Sequence, residues 1–183
     1  MKTEAICITT MGKEHVELVD VFPKECLTNE QKEFIQKNSL PIGANKGDYF
    51  TIEMDNHGNV LFSYVFVIPS LEENDRNIIA SLTSIVREHE KILVDKIHEE
   101  SEIHKEFVRK SFSYIIDELQ KLGILSLPTI IEIIPAILDG LMSGNFKIEV
   151  NGRRVIEFSF GIRKSAVEDD DEITRKTMMS ELY

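Results

Sequence analysis

The sequence predicts an α+β fold, an antiparallel sheet with packed helices followed by a further helix and a β-hairpin. Three observations predict it. Segments rich in β-branched and aromatic residues come in pairs joined by short turn sequences, at 5–22, 48–68 and 146–160, which is the pattern of hairpins. Between and after the first two pairs, apolar residues recur at three- and four-residue spacing, the period of amphipathic helices. The 183 residues, 42% hydrophobic and 29% charged, make a globular chain able to bury about 70% of its unfolded surface.

The run Ala5-Ile6-Cys7-Ile8-Thr9-Thr10-Met11 is β-rich, and Gly12-Lys13 supplies a turn before Val16-Glu17-Leu18-Val19-Asp20-Val21-Phe22. Pro23, with no N–H to donate, ends the second strand. Thr28 or Asn29 caps a short helix over 30–38, whose positive end Glu30 and Glu33 favour. Leu27, Phe34, Ile35 and Leu40 are its expected anchors. Residues 41–47 form a loop with two glycines and a lysine, but a phosphate cradle needs GxxxxGK[ST] leading from a strand into a helix. Here GxxxGDY leads into a strand, so a connecting loop is expected. Strands follow at 48–55 and 59–68, joined by Asn56-His57-Gly58, and the second is apolar almost throughout, as a central strand is.

From 72 to 122 the period becomes helical. Ile78, Leu82, Ile85, His89 and Ile92 at 4-3-4-3 spacing predict a first helix, and the polar run 98–102 predicts a break or kink. A second helix carries Ile103, Phe107, Ile115, Leu119 and Leu122 and ends at Gly123. The order to this point is β-β-α-β-β-α-α. Residues 130–142 form a third helical run that is apolar around most of its circumference. Strands at 146–150 and 155–160 then flank Asn151-Gly152, a type I′ turn signal. The expected boundaries are a body at 1–123, a helix-and-hairpin extension at 124–163 and a mobile acidic tail at 164–183. In that tail Ile173, Met178, Met179 and Leu182 are candidate anchors for a basic partner surface.

The net charge of −11 argues against phosphate-backbone binding, so no nucleic acid is expected. Two cysteines without CxxC spacing, and no signal peptide, point to a cytoplasmic location. His89, His98 and His104 are spaced so that no two share a helical face as HExxH requires, and a solvated, charged helix junction is expected there. His57 fits a turn. Cys7, inside a strand, is expected to be inert, and Cys26 has no base nearby in sequence. No GxSxG or SxxK setting occurs. The balance leans away from an enzyme, with no catalytic residue, cofactor or metal site assigned.

The element order, and above all DYFTIEMDNHGNVLFSYVFVIPS running into EENDRNIIASLTSIVREHEKIL, resembles the longin fold, closest in look to the small sigma-type subunits of vesicle adaptor complexes. The resemblance covers about residues 1–123. It departs in one place: longin domains have three strands between their first and second helices, and only two can be placed here, with loop 41–47 standing where the third would be. The resemblance implies a non-enzymatic module, such as an adaptor subunit, an autoregulatory domain, or a platform for small GTPases.

The apolar run 130–142 has three readings. It is buried beneath the C-terminal hairpin, or it is an interface for a protein partner or a second copy of the chain, or it makes shallow peripheral contact with a membrane. Too short for a span and carrying Glu132 and Asp139, it is not transmembrane. If it is an interface, Ile130, Ile131, Ile134, Ile137, Leu138 and Leu141 form it. The expected function is a protein-binding or scaffold subunit linked to small-GTPase regulation or trafficking, with an oligomer or a small GTPase among the expected partners. The alternative is a small-molecule sensor or enzyme using the loop at 41–49.

Overall fold

The computed structural model describes residues 2–55, 58–70, 75–87 and 94–160, and the side chains of all of these except 94–100. β1 (Lys2–Met11) and β2 (Val16–Phe22) form the first hairpin, followed by α1 (Asn29–Asn38), β3 (Tyr49–Glu53), β4 (Asn59–Ile68) and β5 (Ile78–Arg87). α2 (Val94–Lys121) and α3 (Leu127–Ser143) lead into a second hairpin, β6 (Asn145–Val150) and β7 (Arg153–Ser159). The first five strands make one antiparallel sheet in the order β2-β1-β5-β4-β3. The class is α+β, as the sequence predicts.

One element differs in kind. The first helix expected in the stretch from 72 is, over Ile78–Arg87, the central strand β5, paired along its length with β1 and β4. Residues Ala80 to Val86 are all buried. Covered on both faces, this strand has no need to alternate apolar with polar residues, so its isoleucines and leucine fall at helical spacing by accident. β5 is the third strand between α1 and α2, and loop 41–47 is only a connection. The break expected at 98–102 is also absent. α2 runs through it, and ion pairs Glu102–Lys105, Glu106–Arg109 and Glu106–Lys110 line the following turns.

The local signals for the ends of the other helices hold. Thr28 and Gln31 form a capping box, each side chain taking the other's backbone N–H. Ser126 accepts from the Thr129 N–H, Pro128 lies in the first turn, and Gly144 closes α3 at φ 79°. α3 begins earlier than its apolar run and passes through Pro135 without ending.

α1 lies on one face of the sheet, and α2 and α3 lie on the other. The larger core joins Ile6, Ile8, Phe62, Phe66 and Leu82 of the sheet to Phe112 and Ile115 of α2, Ile130 and Ile134 of α3, and Phe146 and Phe158 of the hairpin. α3 and the hairpin therefore share one core with the sheet. The smaller core joins Ala5, Cys7, Leu61, Met54 and Ile85 to Ile35 of α1. On α2 the buried stripe is Val108, Phe112, Ile115, Ile116 and Leu119, whereas Ile103 and Leu122, expected in it, are each 51% exposed.

Candidate functional site

The residues of 130–142 that could have formed an interface are placed inside the chain. Ile130, Ile134, Ile137, Leu138 and Leu141 are buried, and half-buried Ile131 packs against the same core. The covering comes from two sides. α3 lies over β1 and β2 and against β6, whose alternate residues Phe146, Ile148 and Val150 point inward. Phe146 and Phe158 stack with centroids 4.4 Å apart, and Phe107 and Tyr114 of α2 meet them edge-on or tilted. A helix buried on two sides must be apolar around most of its circumference, and this accounts for the isoleucine run. Glu132, on the outer side, accepts from the Asn151 N–H at 2.9 Å and pins the hairpin turn to the helix.

The side chains with chemical potential are mostly withdrawn from use. Cys7 is fully buried opposite Thr83, and burial pushes its thiol up to about 12. Cys26 is exposed, and its thiol is still raised, chiefly by partial burial. His104 is not on a solvated junction. Its ring lies 6.0 Å from Phe62 and 6.1 Å from Phe107, and Nε2 is 3.4 Å from Thr3 Oγ1. Burial lowers its pKa to about 4, so it is neutral at pH 7. His57 and His89, and the tail anchors Ile173, Met178, Met179 and Leu182, lie outside the described residues, as does the side chain of His98.

The loop at 41–49 is closed on itself. The N–H groups of Ala44, Asn45, Gly47 and Asp48 go to Pro41 O, Asp48 Oδ2, Val65 O and Asn45 O. A phosphate would find those four donors committed and the Asp48 carboxylate set among them. Ile42, 98% exposed, projects from the loop into solvent.

What sequence inspection missed is the open edge at β2. β2 ends the sheet, so its outer backbone groups have no strand partner among the described residues. Five of its side chains, Val16, Leu18, Val19, Val21 and Phe22, are half-buried, unlike the covered residues of β4 and β5. Between β2 and α1 runs an open concavity of about 500 Å³, with Leu18, Val21 and Leu27 in its lining and Lys24, Glu25 and Lys32 at its rim. The edge is guarded as natural edges are: Glu17 and the Asp20–Lys24 ion pair put charge on it, and a bulge leaves Val19 unpaired. Such an edge can accept an extended segment by strand addition, with main-chain hydrogen bonds giving affinity and the flanking concavity giving selectivity. The pattern VELVDVF was legible as a strand, but its place at the edge depends on long-range pairing.

Among the described residues no three His, Cys, Asp or Glu side chains gather to hold a metal, and no helix is long and apolar enough to cross a membrane. Compared with protein-family models and with curated proteins, the chain matches none.

Proposed function

We propose that this chain is a non-enzymatic protein-binding subunit of longin type, acting as an adaptor or platform in small-GTPase regulation or trafficking, and that the β2 edge beside α1 receives its partner. The observation that supports this most is the element order. Three strands, β3 to β5, stand between α1 and α2, and two successive helices follow the last of them. That is the order the resemblance implies, and it removes the departure left by placing only two strands from sequence. The pattern then extends through α3 to Ser143, leaving, among the described elements, only the hairpin outside it. The state of the reactive side chains agrees with a binding role: one thiol is buried and held neutral, and one imidazole is uncharged among aromatic rings.

The test is direct binding of the full chain to a panel of purified small GTPases, each loaded with GDP or with a non-hydrolysable GTP analogue, read by calorimetry. A saturable complex that Leu18→Asp weakens at least tenfold is expected, while Glu149→Lys on the outer hairpin leaves it unchanged. No complex with any member, together with stabilisation of the chain by a small metabolite in a thermal-shift screen, would overturn the proposal in favour of a small-molecule site.

A further inference from the structure

From the unequal covering of the sheet, we infer that α1 is a releasable cover, which lifts from a hydroxyl-lined sheet face while the rest of the fold stays closed. The strand register puts Cys7, Thr83 and Ser63 side by side across β1, β5 and β4, with Thr9 and Ser81 one step along. All five are completely buried. Ser63 Oγ lies 2.8 Å from Thr83 Oγ1, Ser81 Oγ lies 3.3 Å from the same atom, and Thr83 is the cross-strand neighbour of Cys7. Ser39, just past α1, bonds Thr9 at 3.0 Å. Ser63, Ser81 and Thr83 are thus satisfied by one another and stay so when the cover leaves, whereas Thr9 gives up its bond to Ser39, the one side-chain hydrogen bond among the described residues that joins this group to the cover.

The cover itself is lightly attached. Ile35 is the one fully buried residue within α1, with Leu40 beyond its end and Phe34 and Leu27 partly buried. The helix carries its own cap through Thr28 and Gln31. Beyond Leu40 the loop is held by its own hydrogen bonds, and Gly47 and Asp48 tie it to Val65 of β4, so α1 can move ahead of that anchored loop without disturbing β3. The opposite face offers nothing comparable, because α2, α3 and the hairpin interlock through Phe107, Phe146 and Phe158. Elements with few buried apolar contacts are those that open below the global unfolding free energy.

Cys7 is a built-in reporter of this opening, since its thiol lies under the cover. In the full chain carrying Cys26→Ser, the rate of Cys7 modification by a disulfide reagent is measured across low urea concentrations, beside global unfolding followed by circular dichroism. The expected result is modification faster than global unfolding predicts, with a shallow urea dependence. Ile35→Ala then accelerates it at least 30-fold, and Ser39→Ala accelerates it about 5- to 10-fold. Ile134→Ala lowers global stability and leaves the native-buffer rate unchanged. The proposal is overturned if Cys7 modification tracks global unfolding at every urea concentration, or if Ile134→Ala accelerates it as much as Ile35→Ala. Should Ile35→Ala fold poorly, Ser39→Ala alone decides, because a global-only mechanism gives equal changes in the two measurements.

Discussion

The two faces of the five-stranded sheet are covered in different ways. On the α2–α3 face, Ile6, Ile8, Phe62, Phe66 and Leu82 meet a 28-residue helix, a 17-residue helix and the inner side of a hairpin. On the α1 face, Cys7, Thr9, Ser63, Ser81 and Thr83, beside Ala5, Leu61 and Ile85, meet a 10-residue helix and the two residues after it. The same strands supply both sets, because successive side chains alternate across a sheet. Burial of large apolar groups dominates one face, and a mutually satisfied hydroxyl network specifies the other. The difference implies that damage to the first face reaches the whole fold, whereas damage to the second is smaller and more local.

The severest way to break the comparison is Ile134→Asp. Ile134 is completely buried between the sheet and the hairpin, and an isolated carboxylate there has no partner. The expected loss exceeds roughly 5 kcal/mol, leaving no folded fraction by circular dichroism or size exclusion. A folded variant would mean that α3 is less enclosed than its contacts indicate. Next in size is Gly140→Ala. A Cβ at Gly140 would lie 2.1 Å from Phe146 Cδ1, in a stacked pair that cannot retreat without moving the hairpin. The expected cost is about 2–4 kcal/mol in urea unfolding. The near-ultraviolet dichroism of the Phe146, Phe158 and Tyr114 group changes with it.

These two predictions also show what the sequence could disclose. α3 was recognisable as an element with too much apolar surface for one contact, but which surface covered it depended on Phe146 and Phe158 folding back across it, a non-local fact. β5 was misread for a related reason. Its serines and threonines, Ser81, Thr83 and Ser84, resemble the polar face of a helix in one dimension, and only pairing with β1 and β4 shows them as buried hydroxyls. Short-range signals carried through: the Thr28 cap, the Gly123 helix end and the Asn151-Gly152 turn depend on neighbours within four residues. His104 was hidden by its sequence neighbours Glu102, Lys105 and Glu106, which face solvent while the imidazole turns inward. The open edge at β2 was hidden because a strand's place in a sheet is not written in the strand.

The third prediction concerns pH and belongs to the apolar face. His104 has a folded pKa of about 4 against an ordinary value near 6.5, because burial between Phe62 and Phe107 disfavours the imidazolium. The unfolded chain therefore binds this proton more readily than the folded one, and stability is complete above about pH 6.5 and declines as pH falls toward 4. The decline is expected to reach about 2–3 kcal/mol. Thr3 Oγ1 is the polar side-chain atom beside the ring, and Glu106 on the same helix, its carboxyl held low by the Arg109 hydrogen bond, adds a loss in the same direction below its ordinary range. Urea midpoints at pH 7 and pH 4.5 for the wild type and His104→Asn measure the effect. The variant should show a flatter acid limb, and an unchanged limb would place the imidazole in water.

The fourth prediction moves to the α1 face. Thr83→Val keeps the shape and removes the hydroxyl that serves Ser63 and Ser81. Leaving those buried groups short of a partner is expected to cost about 1–3 kcal/mol. A cost near zero would mean that Ser63 and Ser81 find other partners. A double variant, Thr83→Val with Ser63→Ala, then separates network loss from desolvation, and its combined cost should be less than the sum of the singles.

The smallest expected effect is the most discriminating. Thr28→Ala removes the capping hydroxyl that accepts from the Gln31 N–H, at an exposed position, and should cost about 1 kcal/mol. If the two faces formed a single cooperative unit, that loss would appear in full in global unfolding and leave Cys7 protected to the same relative degree. If α1 separates from its face as a helix, keeping its cap while undocked, the variant alters global stability but changes Cys7 exposure little. If α1 melts as it leaves, Cys7 modification speeds up about fivefold, the factor corresponding to 1 kcal/mol. Comparing the two rates in Thr28→Ala and in Ile35→Ala, which removes docking but not the cap, therefore tells whether the hydroxyl-lined face is uncovered by a helix swinging away or by a helix coming apart.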